Sequence, residues 1–160
     1  MPFTETDQRI MQQVMAVARQ GIEAGNWPFG ACVIRNGKPL AFDHNRVVTA
    51  HDPTAHAEVS TIRLACQELG THDLSGCEMV TSCAPCPMCF SAIYWSGIRR
   101  LVYGAFPEDY FLLGFNSFII PPEKMAETGK VRMIMEGGLL REENRTLFEL
   151  YHAKYGRIYQ

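Results

Sequence analysis

The sequence contains no apolar run near the roughly 18 residues that a membrane-crossing helix needs. It also has no excess of positive charge, its formal net charge being -2. The first absence gives no reason to expect a helical membrane span. The second argues against a surface that gains affinity by neutralising many phosphates, so nucleic acid is not the expected partner and a small, weakly charged substrate is. The opening residues, MPFTETDQRI, lack the basic start and apolar stretch of an export signal, and a cytoplasmic location is expected. No internal repeat, low-complexity tract or linker interrupts the chain. With 160 residues, 47% of them hydrophobic, it is long enough for one buried core and too short for two, so residues 1–160 are expected to form a single domain.

There are six cysteines. An even number suits disulfides in a small secreted protein, but here an export signal is missing and Cys83, Cys86 and Cys89 crowd into one short stretch. Metal binding fits better than crosslinking.

Residues 7–24 carry Ile10, Met11, Val14, Met15, Val17, Ala18 and Ile22 at helical spacing, with Thr4 or Thr6 as the N-cap and Gly25 as the stop. Residues 28–35 and 40–43 are short apolar runs joined by Asn36-Gly37, the pair that a type I′ hairpin turn prefers. Residues 54–69 read as a helix with Val59, Ile62, Ala65, Cys66 and Leu69 inward and Gly70 at its end. A strand over 77–82, a helix over 86–96 ending at Gly97 and a strand over 101–105 follow. The aromatic and proline-rich stretch 106–129 gives no clear period beyond a short helix over 121–127. A strand over 131–135 and a helix over 141–154 complete the chain. A hairpin followed by strands alternating with helices predicts an α/β fold, a sheet covered by helices in three layers.

His56-Ala57-Glu58 is answered thirty residues later by Pro85-Cys86-Pro87-Met88-Cys89. One imidazole and two thiolates suit zinc, and a catalytic zinc keeps three protein ligands and leaves its fourth position to water. Cys86 and Cys89 are three apart, so on a helix they share a face. The two prolines fit a helix entry, where the positive end of the helix favours thiolates. His56 and Glu58 are only two apart and do not share a face in mid-helix. Asp52-Pro53-Thr54 before them predicts a less regular first turn from which both reach one pocket. A zinc ion lowers the pKa of a bound water to about 7, and Glu58 is the carboxylate placed to move its proton. The rival is a closed four-ligand site recruiting Cys83, or part of an iron–sulfur site, although the usual further cysteine downstream is missing.

These residues resemble the cytidine deaminase superfamily, whose signature is His-x-Glu followed by Pro-Cys-x-x-Cys. The similarity extends over Pro28-Phe29-Gly30-Ala31, Asn45, Asp52 to Glu58, Thr81-Ser82-Cys83 and Ala92-Ile93-Tyr94-Trp95, and within the superfamily it is greatest to the bacterial guanine deaminases. The resemblance implies a three-layer α/β/α sandwich around a central five-stranded mixed sheet. It also implies a homodimer, in some members with exchanged C-terminal segments. It implies one zinc per subunit on His56, Cys86 and Cys89, and Glu58 as the proton shuttle. Asn45 would hydrogen-bond the base, Phe29 and Trp95 would pack against its ring, and the tail with Tyr159 would close over it. Each has a plainer alternative: Asn45 as a turn residue, Phe29 and Trp95 as core aromatics, Tyr159 as a chain end. Two departures stand out. Ala84 occupies a position where the superfamily commonly has glutamate, and Asn116 one where guanine deaminases carry aspartate, so that Asn116 can still hydrogen-bond but cannot carry a proton away.

The function expected is zinc-dependent hydrolysis of a free aminated nucleobase, guanine to xanthine and ammonia first, with isocytosine, cytosine or an aminotriazine as alternatives. The adenosine deaminases acting on transfer RNA share the signature but want a basic channel, and this chain offers only Arg99-Arg100. A structural zinc module is the non-enzymatic alternative.

Overall fold

The computed structural model describes residues 3–115 and 117–158. Helix α1, Glu5–Glu23, opens on Thr4 rather than Thr6: the Thr4 hydroxyl accepts the Asp7 N–H at 3.0 Å, and the Asp7 carboxylate accepts the Thr4 N–H at 2.9 Å. This reciprocal pair satisfies two helix-end donors at once. Strands β1, Gly30–Arg35, and β2, Lys38–His44, form the expected antiparallel hairpin. Asn36 and Gly37 both take positive φ, 52° and 71°, as a type I′ turn requires.

A four-residue helix α2, Val47–Ala50, precedes α3, Ala57–Leu69, which ends on Gly70 in the left-handed conformation. Strand β3, Cys77–Cys83, leads to α4, Pro87–Trp95, and then β4, Arg100–Ala105. The stretch without a sequence period holds a 3₁₀ segment, Pro107–Leu113, and α5, Pro122–Ala126. The last strand, β5, is Ile134–Gly137, about three residues later than the sequence suggests, and α6 spans Arg141–Tyr155. Two facts account for the shift of β5. It is an edge strand paired only with β4, in the register Arg100↔Ile134, and its Glu136 is turned inward to accept a 2.9 Å hydrogen bond from Arg100. A buried acid that owes its place to an arginine leaves no trace in a hydrophobic pattern.

The five strands run in the order β2-β1-β3-β4-β5. The β1 strand is antiparallel to both neighbours, while β3, β4 and β5 are mutually parallel, so the sheet is mixed. Alternation along the strands divides the core in two. Cys32, Ile34, Val80 and Val102 face α1 and α6, where Ile10, Met11, Val14, Leu147 and Phe148 cover them. Ala31, Val33, Met79, Leu101 and Tyr103 face the opposite way, under α3 and α4 with Ala57, Ala65, Phe90 and Ile93. The result is the three-layer α/β/α sandwich around a five-stranded mixed sheet. Because β3 and β4 are parallel, their C-terminal ends and the helices that follow open onto one edge, the place where such sheets hold ligands.

Candidate active site

At that edge, two helices begin facing one another. His56 is the N-cap of α3 in extended conformation, and Glu58 lies one turn-step further into the helix. Asp52 Oδ1 accepts the Thr54 N–H at 2.8 Å and its hydroxyl at 2.7 Å, which shapes the irregular entry that lets His56 and Glu58 reach one point. Cys86 is the N-cap of α4, Pro87 occupies the first turn without a wasted N–H, and Cys89 follows on the same face.

His56 Nδ1 lies 3.7 Å from Cys86 Sγ and 3.4 Å from Cys89 Sγ. A tetrahedral zinc with bonds of about 2.3 Å to sulfur and about 2.05 Å to nitrogen sets such atoms roughly 3.6 Å apart. The observed spacings bracket that value, and all three donor atoms lie within 4.8 Å of one another. These residues fit a zinc ion. Among the described residues the group has three members, and Cys83, at the buried end of β3, stands outside it. The arrangement is therefore the open, catalytic kind rather than the closed one.

The charges are arranged to match. A hydrogen bond from Cys89 holds the Cys86 thiol at about 4, helped by His56, whereas that same bond and burial push Cys89 well up. Both thiols must give up their protons to hold a cation. Burial alone would lower the His56 imidazole, but the Cys86 thiolate and Glu58 outweigh it and raise it. Burial is the main cause that pushes the Glu58 carboxyl upward, with the Cys86 thiolate adding to it. A carboxyl raised in this way holds a proton more readily than an ordinary one, which suits a group that must accept and return it.

His56, Cys86 and Glu58 line a cavity of about 340 Å³, and Cys89 lies buried beside them. This is the size range of small-ligand pockets. Asn45 lines it and is 1% exposed. Three bonds fix this residue: its N–H donates to Phe29 O at 2.9 Å, its Oδ1 accepts the Val47 N–H at 3.1 Å, and its carbonyl lies 2.7 Å from His44 Nδ1. With Oδ1 committed to the backbone, Nδ2 is the part of the amide left for a ligand. Phe29 lines the cavity too, wedged among Tyr110, Phe115 and Phe148 at centroid separations of 5.9, 5.8 and 5.7 Å.

Trp95 stands apart from these residues. It does not line the cavity of its own chain, and its side chain is 83% exposed. The reason is helix geometry: Trp95 ends α4 six residues beyond Cys89, roughly 9 Å further along the axis. Asn116 and Tyr159 lie outside the described residues.

The structure adds residues that sequence reading passed over. Trp27 meets the His56 ring edge-on at 6.3 Å and holds the imidazole from the side. Its signal was adjacency to Pro28-Phe29-Gly30. Tyr110, Phe115, Ser117 and Phe118 come from the aromatic stretch and build the outer wall. Among the described residues, no lysine or arginine lines the cavity.

Comparison with known proteins gives a consistent picture. Residues 4–105 match the family model described as the cytidine and deoxycytidylate deaminase zinc-binding region. The chain is 42% identical over 114 residues to guanine deaminase of Bacillus subtilis (strain 168), covering 71% of this chain and 73% of that one. It is 37% identical over 137 residues to the tRNA-specific adenosine deaminase of the same organism, covering 86% and 83%. The solved structure of guanine deaminase from Nitrosomonas europaea superposes with a TM-score of 0.84 at 37% identity, covering 91% of this chain and 84% of that one.

Proposed function

The chain belongs to the cytidine and deoxycytidylate deaminase family and is a zinc-dependent aminohydrolase, and on that premise we propose that, as a single domain, it removes the amino group of free guanine to give xanthine and ammonia. The observation that carries this reading is a three-donor metal site beside an aromatic cavity whose lining, among the described residues, holds no lysine or arginine. A nucleobase is flat and uncharged, and such walls both desolvate and stack it. A phosphorylated or RNA substrate needs basic side chains along its path.

When bound, zinc supplies a water that gives up a proton near neutral pH. Glu58 takes that proton and delivers it to a ring nitrogen as oxygen bonds to the amino-bearing carbon. Glu58 then takes the proton of the newly attached hydroxyl and passes it to the amino group, so that the carbon–nitrogen bond breaks, a carbonyl forms and the nitrogen leaves as ammonia. Asn45 Nδ2 donates to the base, and Phe29 packs on its ring. The identity of the guanine deaminase relatives favours guanine over isocytosine, which shares its amino-amide edge. The activity belongs to purine catabolism, and the six free cysteines suit the reducing cytoplasm.

The same reading makes the protein a homodimer. An indole left in water at the end of α4 fits a subunit contact. Sedimentation is expected to give a dimer that Trp95→Asp converts to monomer.

Incubating zinc-loaded protein with guanine, isocytosine, cytosine and an aminotriazine, with ammonia as readout, tests the substrate. Guanine is expected to react fastest. An inert guanine beside a reactive pyrimidine or triazine would overturn the purine assignment and keep the chemistry. A salt-sensitive gel shift with a stem-loop RNA would move the assignment to the transfer-RNA enzymes.

A further inference from the structure

The family match ends at Ala105, yet the cavity does not. Its outer wall is built by the chain beyond that point, from Pro107, Tyr110, Phe115 and the 117–120 segment. The zinc and proton chemistry, with Asn45 and Phe29, thus sits in the shared part, and the part that follows contributes the outer wall against which a ring must fit. Among the described lining residues beyond Ala105, only Tyr110 and Ser117 carry polar side-chain groups.

Tyr110 is held rigidly. Its ring meets Phe29 at 5.9 Å and 90°, Phe115 at 5.6 Å and 78°, and Phe148 at 5.9 Å and 81°, three edge-on contacts that orient it. The 3₁₀ segment that carries it is anchored in turn, because Asp109 accepts the Phe106 N–H at 2.8 Å and two bonds of 2.9 Å from Arg141. The Ser117 hydroxyl is a hydrogen-bonding neighbour of the phenol and eases its ionisation. Burial nevertheless pushes the phenol up to about 12, with Cys83, Cys86 and Glu58 as negative neighbours, so Tyr110 stays a neutral donor at working pH.

We propose that Tyr110, backed by Ser117, is a specificity-determining residue whose hydroxyl donates a hydrogen bond to an acceptor of the bound base, a carbonyl oxygen or an unprotonated ring nitrogen. It rests on the reading of the site as a nucleobase deaminase. The selection follows from the cost of leaving that buried hydroxyl without a partner when a base lacking the acceptor enters.

Tyr110→Phe is the informative change, since it keeps the ring and its three aromatic contacts and deletes one oxygen. The test measures KM and kcat on guanine, and KM or the inhibition constant on 7-deazaguanine and 2-aminopurine, each of which keeps the reacting carbon and lacks one acceptor. The expected result is a KM on guanine raised about tenfold with a much smaller change in kcat. The penalty should vanish for one of the two analogues, which locates the acceptor. Ser117→Ala should raise KM by a smaller factor. An unchanged KM in Tyr110→Phe, or an equal penalty on all three bases, overturns the proposal. If the unmodified protein prefers another base, the comparison is made on that base and its acceptor-deleted analogues. Failure of the guanine assignment then appears in the unmodified protein, and failure of the Tyr110 assignment only in the difference between the two proteins. A protein that deaminates none of the bases ends both.

Discussion

Asp7 in α1 and Arg100 at the start of β4, 93 residues apart, meet in a forked pair of hydrogen bonds, both 2.9 Å long. The same guanidinium reaches Glu78 on β3 and Glu136 on β5, so one side chain ties the first helix to three adjacent strands.

This cluster predicts a specific acid sensitivity. Burial alone would raise the Asp7 carboxyl, but Arg100 and then the Thr4 N–H and hydroxyl more than reverse that and hold it at about 2, below its ordinary 3.8. A carboxyl depressed on folding stabilises fully above its unfolded value and loses that contribution as pH falls through the folded one. About 2 kcal/mol is therefore expected to disappear between pH 4 and pH 2, on the order of 1.4 kcal/mol per unit. Denaturant titrations of the unmodified chain and Asp7→Asn should differ by about 3 kcal/mol at pH 7 and converge toward pH 2.

Glu58→Gln removes the proton carrier and keeps the shape. Zinc content and melting temperature should stay close to those of the unmodified protein, while turnover falls by about a thousandfold. Ammonia release within tenfold of the original would dismiss Glu58 from its role, and full activity loss accompanied by loss of zinc would mean that it supports the metal instead.

Cys89→Ser should reduce zinc from one per chain to a trace by elemental analysis and abolish turnover. In the unmodified protein a chelator should do the same, and added zinc should restore activity. Because thiolates must be free of protons to bind, affinity should weaken as pH falls toward the value near 4 at which Cys86 itself protonates.

Asn45→Asp separates holding from reading. An aspartate keeps the oxygen that accepts the Val47 N–H, so the melting temperature should change little, but it replaces the donor facing the base with an acceptor. KM on guanine is expected to rise at least tenfold. Asn45→Ala should cost stability as well, by about 1 kcal/mol, through the unsatisfied Val47 N–H.

The parts of this molecule that were readable in the sequence are those decided by neighbours in the chain. Thr4 with Asp7, Asn36 with Gly37, and the two cysteines three apart each fix local geometry by themselves, and the metal site follows because its four functional residues sit in two short motifs at helix entries. What was not readable depends on distant partners. Glu136 is buried because of Arg100, which displaces β5 from the apolar run at 131–135. Tyr110 and Phe115 form a wall because Phe29 and Phe148 are there to receive them, and a 3₁₀ segment offers no period to announce it. Trp95 shares a motif with pocket residues and still points away, since a helix carries successive residues out of reach.

Both His56 and Cys86 are cap residues, so the coordination sphere is assembled from the tips of two rods whose bodies are locked into the sheet. Slippage of α3 against α4 would therefore change the spacing of the His56 nitrogen from the two sulfurs that would hold the ion with it. With cobalt substituted for zinc, the visible absorption of this protein becomes a gauge of interhelical alignment, readable in dilute solution while the chain is warmed.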